Sequence, residues 1–380
     1  MEQLKEQERI NEVRSYLLDA RENYPEPYYM LEYNGVPFST LGGIQALSGQ
    51  KKNGKTFVLA QIMAAILGTG TERVEQYLPG LKVPERTMQW LGHEPTVLYV
   101  DTEMEKLNSA KVLRRVHWLC NWDMDVPNKR FNVLWLRGVT DVKNSTGEVK
   151  ERAYEKRYRL IRQAIDWLQP DAVFIDGIRD IIGDFNDNKE SAQLVGDLMA
   201  LAEQKQICIW NVLHMNPRPG NDDESKMRGH LGTELGNKIT DTLVSIKSKT
   251  ASGVAFTVKQ QDARGKDMDD WKFEVTDDAG NLGIPRITNS GSNLSSKSKE
   301  MEGDQLDDIR RWIREAENTY DFPMSRKDIK KKVFGDIGGQ KNDSRQQIDL
   351  NIALNMKLLK ESTLKSGGYY MLEPGDEMPF

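Results

Sequence analysis

Short, continuous apolar runs recur along the first two thirds of the chain, and stretches with helical spacing separate them. The five runs read GGIQALSG, TVLYVD, FNVLWLRG, DAVFID and ICIWNVLH. Strands that are apolar along their whole length are typical of a parallel sheet covered by helices on both faces. The pattern therefore predicts an α/β fold with a mostly parallel sheet, helices on both faces, and a helix over 56–67 that follows the first run after a short glycine-rich loop.

The segments on either side of these runs follow other patterns. Residues 1–24 have the spacing of a charged helix that Pro25 and Pro27 end. The stretch YYMLEYNGVPFST predicts a hairpin with Asn34-Gly35 as its turn. After the fifth run, DTLVSIKS, GVAFTVKQQ and WKFEVTDDAGNL predict close-spaced strands, which we expect as antiparallel additions at one edge of the sheet.

A change of composition divides the chain. Residues 288–304, TNSGSNLSSKSKEMEGD, are rich in Ser, Gly and Lys, which predicts a flexible linker. The predicted organisation is an N-terminal helix (1–27), which packs on its own domain or docks on a neighbouring subunit, a core domain (28–287), the linker (288–304) and a C-terminal domain (305–380).

Three helices and a terminal hairpin are predicted in the C-terminal domain. DQLDDIRRWIREAENT is the first helix, SRKDIKKKVFG is the second with Ser325 as N-cap, and DSRQQIDLNIALNMKLLKES is the third. TLKSGGYYMLEP then forms the hairpin. This order predicts a small winged-helix-like domain, a module whose third helix commonly enters a DNA major groove.

Composition and charge narrow the class of protein. With 380 residues, 38% hydrophobic and 29% charged, the chain has a globular composition and room for two or three domains. We expect no membrane segment, because the longest apolar stretch is far shorter than the roughly 20 residues that span a bilayer. Cys120 and Cys208 lie in apolar surroundings, which suits a reducing cytoplasm. Because the net charge is −5, nucleic acid must be contacted through local basic patches.

One segment between the first strand and the first helix has the chemistry of a phosphate site. GQKKNGKT fits the P-loop pattern, in which glycines allow backbone N–H groups to face phosphate oxygens at a helix N-terminus. Lys55 is expected on the β- and γ-phosphates, and the Thr56 hydroxyl on Mg²⁺. The predicted ligands are therefore ATP and Mg²⁺, bound by Gly49, Gln50, Lys51, Lys52, Asn53, Gly54, Lys55, Thr56 and Phe57.

Two carboxylates at strand ends complete the expected ATP site. Asp176 ends an apolar strand, as a Walker B aspartate that supports Mg²⁺ does. Glu103 follows the strand after the P-loop helix and is the best candidate to activate water, with Asp101 second. A strand–helix–strand unit separates them from Asp176, an order typical of motor ATPases rather than of small-molecule kinases.

Polar residues near the later strands are further candidates. His214 ends the fifth run, where it can sense the γ-phosphate or the water. The polar loop after it carries Arg218, Lys226 and Arg228, which either contact a nucleic-acid backbone or are solvated. Lys259 and Arg264 near the end of an edge strand either reach the nucleotide of an adjacent subunit as arginine fingers or lie on a surface hairpin.

Together, the motifs GQKKNGKT, VLYVDTEME, VFIDGIRDI, WNVLHMNP and VKQQDARGKD resemble those of the RecA/DnaB-type ATPase superfamily. Within it, residues 28–287 are most similar to RepA-type plasmid helicases and related AAA-domain ATPases of mobile elements. The resemblance implies a RecA fold and a homo-oligomer, commonly a ring hexamer with ATP between subunits. It matches Lys55, Thr56, Glu103, Asp176 and His214 to the family's site residues.

The chain departs from that family in two places. DnaB-like helicases have their trans-acting Lys and Arg two residues apart, whereas Lys259 and Arg264 are five apart. The C-terminal domain is absent from the minimal plasmid helicase, and its basic patch, with Lys330, Lys331 and Arg345, contacts either DNA or a protein. The sequence thus predicts a helicase-like ATPase on DNA or, alternatively, an ATP-dependent DNA-binding regulator that never unwinds.

Overall fold

The structure is a computed structural model, and it describes residues 2–215, 227–250, 253–263, 265–288, 308–320, 322, 324–339, 346, 349–350, 353, 359–361 and 369–372. The chain divides into two compact units, Met1–Thr288 and Asn289–Phe380. Each unit has its own apolar core. The units are therefore described separately.

The first unit alternates strands and helices along most of its length. Its helices are α1 Glu2–Arg14, α2 Lys55–Leu67, α3 Glu72–Tyr77, α4 Glu85–Leu91, α5 Lys106–Leu119, α6 Ala153–Leu168, α7 Asn188–Lys205 and α8 Gly229–Lys238, with 3₁₀ turns at Ile178–Ile181 and Gly280–Leu282. Its strands are β1 Tyr29–Tyr33, β2 Val36–Thr40, β3 Ile44–Gly49, β4 Leu81–Lys82, β5 Val97–Asp101, β6 Phe131–Trp135, β7 Val142–Lys143, β8 Val149–Glu151, β9 Ala172–Asp176, β10 Cys208–His214, β11 Asp241–Thr250, β12 Gly253–Ala263, β13 Trp271–Thr276 and β14 Ile284–Ile287.

A central sheet organises this unit in the order β14-β13-β12-β11-β3-β10-β9-β5-β6. Strands β11, β3, β10, β9, β5 and β6 pair in parallel, and β12, β13 and β14 are antiparallel additions at one edge. Strands β3, β5 and β9 are buried on both faces, because separate apolar clusters cover the two sides of the sheet. The predicted α/β class is confirmed, with a mostly parallel sheet, helices on both faces and antiparallel strands at one edge.

The helix after the phosphate loop is part of the interior of the unit. Residues 58–67 of α2 are all buried, which agrees with a helix that is apolar on every side. Gly68 follows it, where an added Cβ would lie 2.7 Å from a methyl group of Val74. The N-terminus of α2 is thus fixed against the sheet by packing along the whole helix.

Several local predictions were wrong. Strand β11, which was expected as an antiparallel addition, pairs parallel to β3, because 229–238 is the helix α8 rather than loop and supplies the crossover from β10. Leu231 and Leu235, one helical turn apart, are the buried side of α8. The pattern also gave no sign of β14.

The two predictions near the N-terminus had opposite outcomes. The hairpin β1–β2 is confirmed, with Asn34 and Gly35 both at positive φ in its turn. The helix predicted over 1–24 ends at Arg14. Beyond it, the Asp19 carboxylate accepts hydrogen bonds from the Arg21 backbone and guanidinium, and these local bonds compete with a helix.

The second unit combines helices with a small antiparallel sheet. Its helices are α9 at 308–319 and α10 at Arg326–Asp328, which continues as a π-helix over Ile329–Ile337. The strands β15 Met324–Ser325, β16 Leu359–Glu361 and β17 Tyr369–Leu372 form a sheet in the order β15-β17-β16. Ser325 caps α10 by accepting from the Asp328 N–H, as predicted.

The third predicted helix of this unit is described only at residues 346, 349–350 and 353, which are helical. Its predicted end was wrong, because 359–361 is the strand β16, which pairs with β17. Most of the remainder of that helix and the Gly367-Gly368 tip lie outside the described residues. The winged-helix assignment stays a prediction.

Two general features of the described residues complete the picture. None of the helices described is long and apolar enough to cross a bilayer. Cys120 and Cys208 are buried free thiols, and burial raises the pKa of each to about 12. Both cysteines therefore contribute to packing in the first unit.

Candidate functional site

The carboxyl ends of four parallel strands meet at one edge of the central sheet. His214 at the end of β10 is paired with Gly49 at the end of β3, and Asp101 at the end of β5 is paired with Asp176 at the end of β9. In open α/β sheets, ligands bind outside these carboxyl ends. The phosphate loop leaves β3 at this edge, so the predicted site residues are brought together by the strand order.

The phosphate loop takes a conformation that its glycines allow. Gly54 has φ of +83°, and an added Cβ there would lie 2.6 Å from a ring carbon of Phe256. At Gly49 an added Cβ would lie 2.6 Å from the Ser245 carbonyl oxygen. The loop is therefore pressed against β11 and β12, and its glycines serve both conformation and close approach.

Lys55 joins the loop to the end of β10. Its Nζ donates to the carbonyl oxygens of Gly49 and Gln50 at 3.1 and 3.0 Å, and it lies 3.0 Å from His214 Nδ1. Burial lowers the pKa of Lys55, and the carboxylates of Asp176 and Glu103 oppose that shift. A lysine that loses solvation in this way is a cation that an anionic ligand would stabilise.

His214 links this lysine to the candidate base. Because a lysine ammonium only donates, His214 Nδ1 must accept, which leaves the proton on Nε2. Nε2 lies 3.5 Å from Glu103 Oε2. The hydrogen bond to His214 is the main reason that the pKa of Glu103 is lowered, and Glu103 is therefore ionised at neutral pH.

The paired aspartates Asp101 and Asp176 differ sharply in their surroundings. Asp101 accepts from the backbone N–H groups of Glu103 and Met104 at 3.0 and 2.9 Å, and from the Ser109 hydroxyl. Its oxygens thus hold the turn after β5, so Glu103 is the better candidate to activate water. Asp176 accepts from the Tyr99 hydroxyl at 2.9 Å, and burial, with Glu103 and Asp101 nearby, raises its pKa to about 7.

A cavity lies over the phosphate loop. Phe57 lines it, with the Arg115 guanidinium stacked 4.4 Å from the centre of the Phe57 ring and held by the carbonyl oxygens of Leu282 and Gly283. This phosphate-loop cavity is lined by Lys52, Asn53, Gly54, Lys55, Thr56, Phe57, Glu103, Met104, Asp176, His214, Lys247 and Phe256.

Two comparisons found similarity to known proteins. Residues 31–218 match the AAA domain family. A KaiC-like protein from the hyperthermophilic archaeon Pyrococcus horikoshii OT3 aligns at 13% identity and a TM-score of 0.42, over 70% of this chain and 99% of that one. A search of curated proteins gives no significant match.

Residues 31–218 therefore resemble an AAA domain, and the phosphate loop lies within this match. Within these residues, the structure brings Lys55, Thr56, Glu103, Asp176 and His214 to one cavity. The other loop residues predicted to bind nucleotide surround it: Lys52, Asn53, Gly54 and Phe57 line the cavity, Lys51 is exposed, and Gly49 and Gln50 accept from Lys55.

The remaining predicted residues lie elsewhere. Lys259 is in the middle of β12, and it is not among the residues that line the phosphate-loop cavity of its own chain. Arg228 precedes α8, and Lys330 and Lys331 are on the π-helix of the second unit. Arg218, Lys226, Arg264 and Arg345 lie outside the described residues, so their predicted roles stay predictions.

The residues of the site that sequence reasoning missed include Lys247 and Phe256. Lys247 is on β11, and its ammonium lies 5.9 Å from the centre of the Phe256 ring. Both line the phosphate-loop cavity because β11 pairs parallel to β3, which directs its carboxyl half toward the loop. The alternation of DTLVSIKS marked Lys247 as a strand residue but not as a neighbour of the phosphates.

A second cavity adjoins the first. It is lined by four arginines, Arg137, Arg157, Arg179 and Arg228, together with Asp180 and Phe185, and we call it the arginine cavity. Glu103 and His214 line both cavities, so their side chains form the wall between them. The catalytic candidates therefore face two spaces, only one of which the sequence predicted.

Proposed function

We propose that the protein is an ATP-hydrolysing RecA-fold motor that acts on DNA, helicase-like, in the replication or mobilisation of a plasmid or mobile element. The observation that carries this proposal is the series of contacts from Lys55 through His214 to Glu103. It connects the phosphate-binding lysine with a carboxylate in position to activate water. It also begins the segment after β10, through which a motor can transmit the state of its nucleotide.

The residues present fit ATP and Mg²⁺. The loop between β3 and α2 offers backbone N–H groups at a helix N-terminus, where phosphate binds well. The Thr56 hydroxyl and the Asp176 carboxylate are oxygen ligands of the kind Mg²⁺ prefers. The described residues contain no group of three His, Cys, Asp or Glu side chains that could hold a metal. Bound Mg²⁺ would neutralise charge on the phosphates.

In the proposed reaction Glu103 is the base. Its ionised carboxylate takes a proton from water as the water oxygen bonds to the γ-phosphorus and the bond to the bridging oxygen of ADP breaks. Lys55 stabilises charge on the phosphate oxygens. His214 Nε2–H holds Glu103 in place, and the loss of phosphate charge beside Lys55 would change the Lys55–His214 contact first.

Features of the first unit support assembly into a ring. The N-terminal segment has exposed apolar side chains at Ile10, Val13, Tyr16, Leu17 and Leu18, which suits docking on a neighbouring subunit. Lys259 does not line its own phosphate-loop cavity, as expected for a cation that acts across a subunit boundary. We propose a homo-oligomer, with a ring hexamer as the expected form.

The proposed action on DNA is supported by positively charged side chains in both units. Arg228 lies just before α8 and is exposed, and Lys331 is exposed on the second unit. Positive side chains of this kind would contact phosphates with little dependence on base sequence. DNA binding by the second unit belongs to the proposal as well.

The test combines three assays on purified full-length protein. Lys55→Ala should abolish ATP hydrolysis, and Glu103→Gln should bind ATP but lose at least about a hundredfold in turnover. Glu105→Gln, an exposed neighbour two residues away, is the matched control and should retain activity. Brisk hydrolysis by Glu103→Gln would refute the assignment of the base.

A strand-displacement assay then separates the motor from the regulator. Unwinding that needs ATP and disappears in Glu103→Gln supports the motor. Hydrolysis stimulated by DNA without any unwinding would instead favour an ATP-dependent DNA-binding regulator. Light scattering with and without an ATP analogue and DNA tests ring assembly.

A further inference from the structure

The arginine cavity lies on the far side of Glu103 and His214 from the phosphate loop, and its positive charge has no role in the proposed hydrolysis. Four arginines line it against two carboxylates, those of Glu103 and Asp180. Its charge balance is therefore positive, and the two side chains of its shared wall are those that would contact water and the γ-phosphate.

An aromatic ring holds two of these arginines in place. The Arg179 guanidinium lies 4.1 Å from the centre of the Phe185 ring, and that of Arg228 lies 5.7 Å from it. The Leu231 N–H donates to the Phe185 carbonyl oxygen at 3.0 Å, and an added Cβ at Gly229 would lie 2.5 Å from the ring. The loop after β9 and the start of α8 are thus fastened together, with both guanidiniums positioned by cation–π contact.

The other charged groups of the cavity already have partners. Arg157 donates to the carbonyl oxygens of Leu136, Val139 and Asp180, each at 3.2 Å. The Asp180 carboxylate accepts from the Thr102 hydroxyl at 2.9 Å. Arg137 is 3.7 Å from Glu105, an exposed pair of little strength. Arg179 and Arg228 have ring contacts but no carboxylate within ion-pair distance among the described residues.

We propose that the arginine cavity binds the inorganic phosphate produced by hydrolysis, and that it is the first site this phosphate occupies after leaving the phosphate-loop cavity. The guanidiniums of Arg179 and Arg228, both on the Phe185 ring and both lining the cavity, supply the positive charge and the N–H donors that bind a phosphate anion. This inference rests on the proposed ATPase reaction and adds an exit route for one product. Separation of the Glu103 and His214 side chains, 3.5 Å apart, would open the shared wall.

This placement gives the Glu103–His214 pair a second role. While phosphate is on the nucleotide side, Lys55 and His214 face it. Once the phosphate has moved to the arginine cavity, it lies beside Arg228. Arg228 directly precedes α8 and follows the loop after β10. Product departure would therefore act directly on the segment that is expected to contact DNA.

The experiment fills the first cavity and asks whether the second still binds phosphate. Protein saturated with Mg²⁺ and the non-hydrolysable β,γ-imido analogue of ATP is dialysed to equilibrium against radiolabelled inorganic phosphate. We expect saturable uptake of one phosphate per chain. Arg179→Gln and Arg228→Gln should each weaken it about tenfold or more, as loss of one charge-assisted contact does. Arg162→Gln, an exposed arginine that lines neither cavity, should leave it unchanged.

Two outcomes would overturn the proposal. One is the absence of saturable phosphate uptake, or equal uptake by all variants. The other is that phosphate alone does not saturate the wild type, whereas an oligonucleotide binds in an Arg179-dependent way and excludes phosphate. The cavity would then be a binding site for a nucleic-acid backbone.

Failure of the proposed function itself would look different. If the analogue does not bind, the ATP site is refuted. The same dialysis on Lys55→Ala protein then still tests the arginine cavity, because that variant lacks the lysine of the first cavity.

Discussion

Asp176→Asn should make the protein more stable at neutral pH while it removes a proposed Mg²⁺ ligand. The Asp176 carboxyl is buried, and its pKa of about 7 is set mainly by loss of solvation, then by the charges of Glu103 and Asp101. In an unfolded chain the pKa of an aspartate is about 3.9. The folded protein therefore pays to keep this carboxyl ionised at pH 8.

The magnitude and its pH dependence follow from linkage. A difference of about three pKa units corresponds to at most about 4 kcal/mol of lost stability. Between about pH 4 and 7 the folded state binds the extra proton, so this contribution to stability is present below pH 4 and lost as the pH rises to 7. Asn carries no charge and keeps an acceptor for the Tyr99 hydroxyl, so its gain should be near zero at pH 4 and about 2–4 kcal/mol at pH 8.

Thermal unfolding by circular dichroism, without nucleotide or Mg²⁺, measures this gain. For a domain of this size we expect Tm to rise by roughly 5–10 °C at pH 8 and hardly at all at pH 4.5. Asp101→Asn is the matched control on the neighbouring strand. Its carboxylate accepts two backbone N–H bonds and one from Ser109, so that variant should lose about 1–2 kcal/mol. A Tm of Asp176→Asn no higher than that of the wild type at pH 8, or a gain independent of pH, would refute the reasoning.

Three further outcomes are expected. Gly54→Ala should weaken binding of a fluorescent ATP analogue at least about tenfold, because φ is +83° and the new Cβ would meet the Phe256 ring. Gly70→Ala is the control, since Gly70 has a similar φ but open space around it, and it should not weaken binding. Equal affinities of the two variants would contradict this reasoning. His214→Ala should keep ATP binding but slow turnover about ten- to hundredfold, because it breaks the link between Lys55 and Glu103; unchanged turnover would count against it. If Arg264 acts in trans, inactive Lys55→Ala and Arg264→Ala proteins should regain ATPase activity when mixed, and no recovery would speak against shared sites.

The central sheet and most of the site could be predicted because position along a parallel strand is visible in the sequence. Asp176 and His214 each end an apolar run, and the carboxyl ends of such strands meet at one edge. Glu103 comes two residues after the end of the second run, TVLYVD. The order of the apolar runs along the chain therefore predicted that three separate segments lie around the phosphate loop.

What could not be predicted depends on contacts between distant segments. The direction of β11 depends on whether the helix α8 precedes it. The amphipathic pattern of α8, in which Leu231 and Leu235 are buried, is short and lies among glycines and polar residues. With that helix read as loop, Lys247 had no visible relation to the phosphates. Likewise, the stacking of Arg179 and Arg228 on Phe185 joins two loops about 45 residues apart, and neither loop has a sequence motif that predicts contact with the other.

The site keeps two charges in an environment that disfavours both. Burial lowers the pKa of Lys55 and raises that of Asp176, so each ionised form is less stable than it would be in water. The two groups partly compensate each other, but Asp176 also has Glu103 and Asp101 as like-charged neighbours. A ligand that brings anionic oxygens to Lys55 and a divalent cation to Asp176 relieves both penalties together. The arrangement is therefore complementary to a metal-bound phosphate chain, rather than to a bare anion or a bare cation, and stability given up in the unliganded protein is recovered on binding.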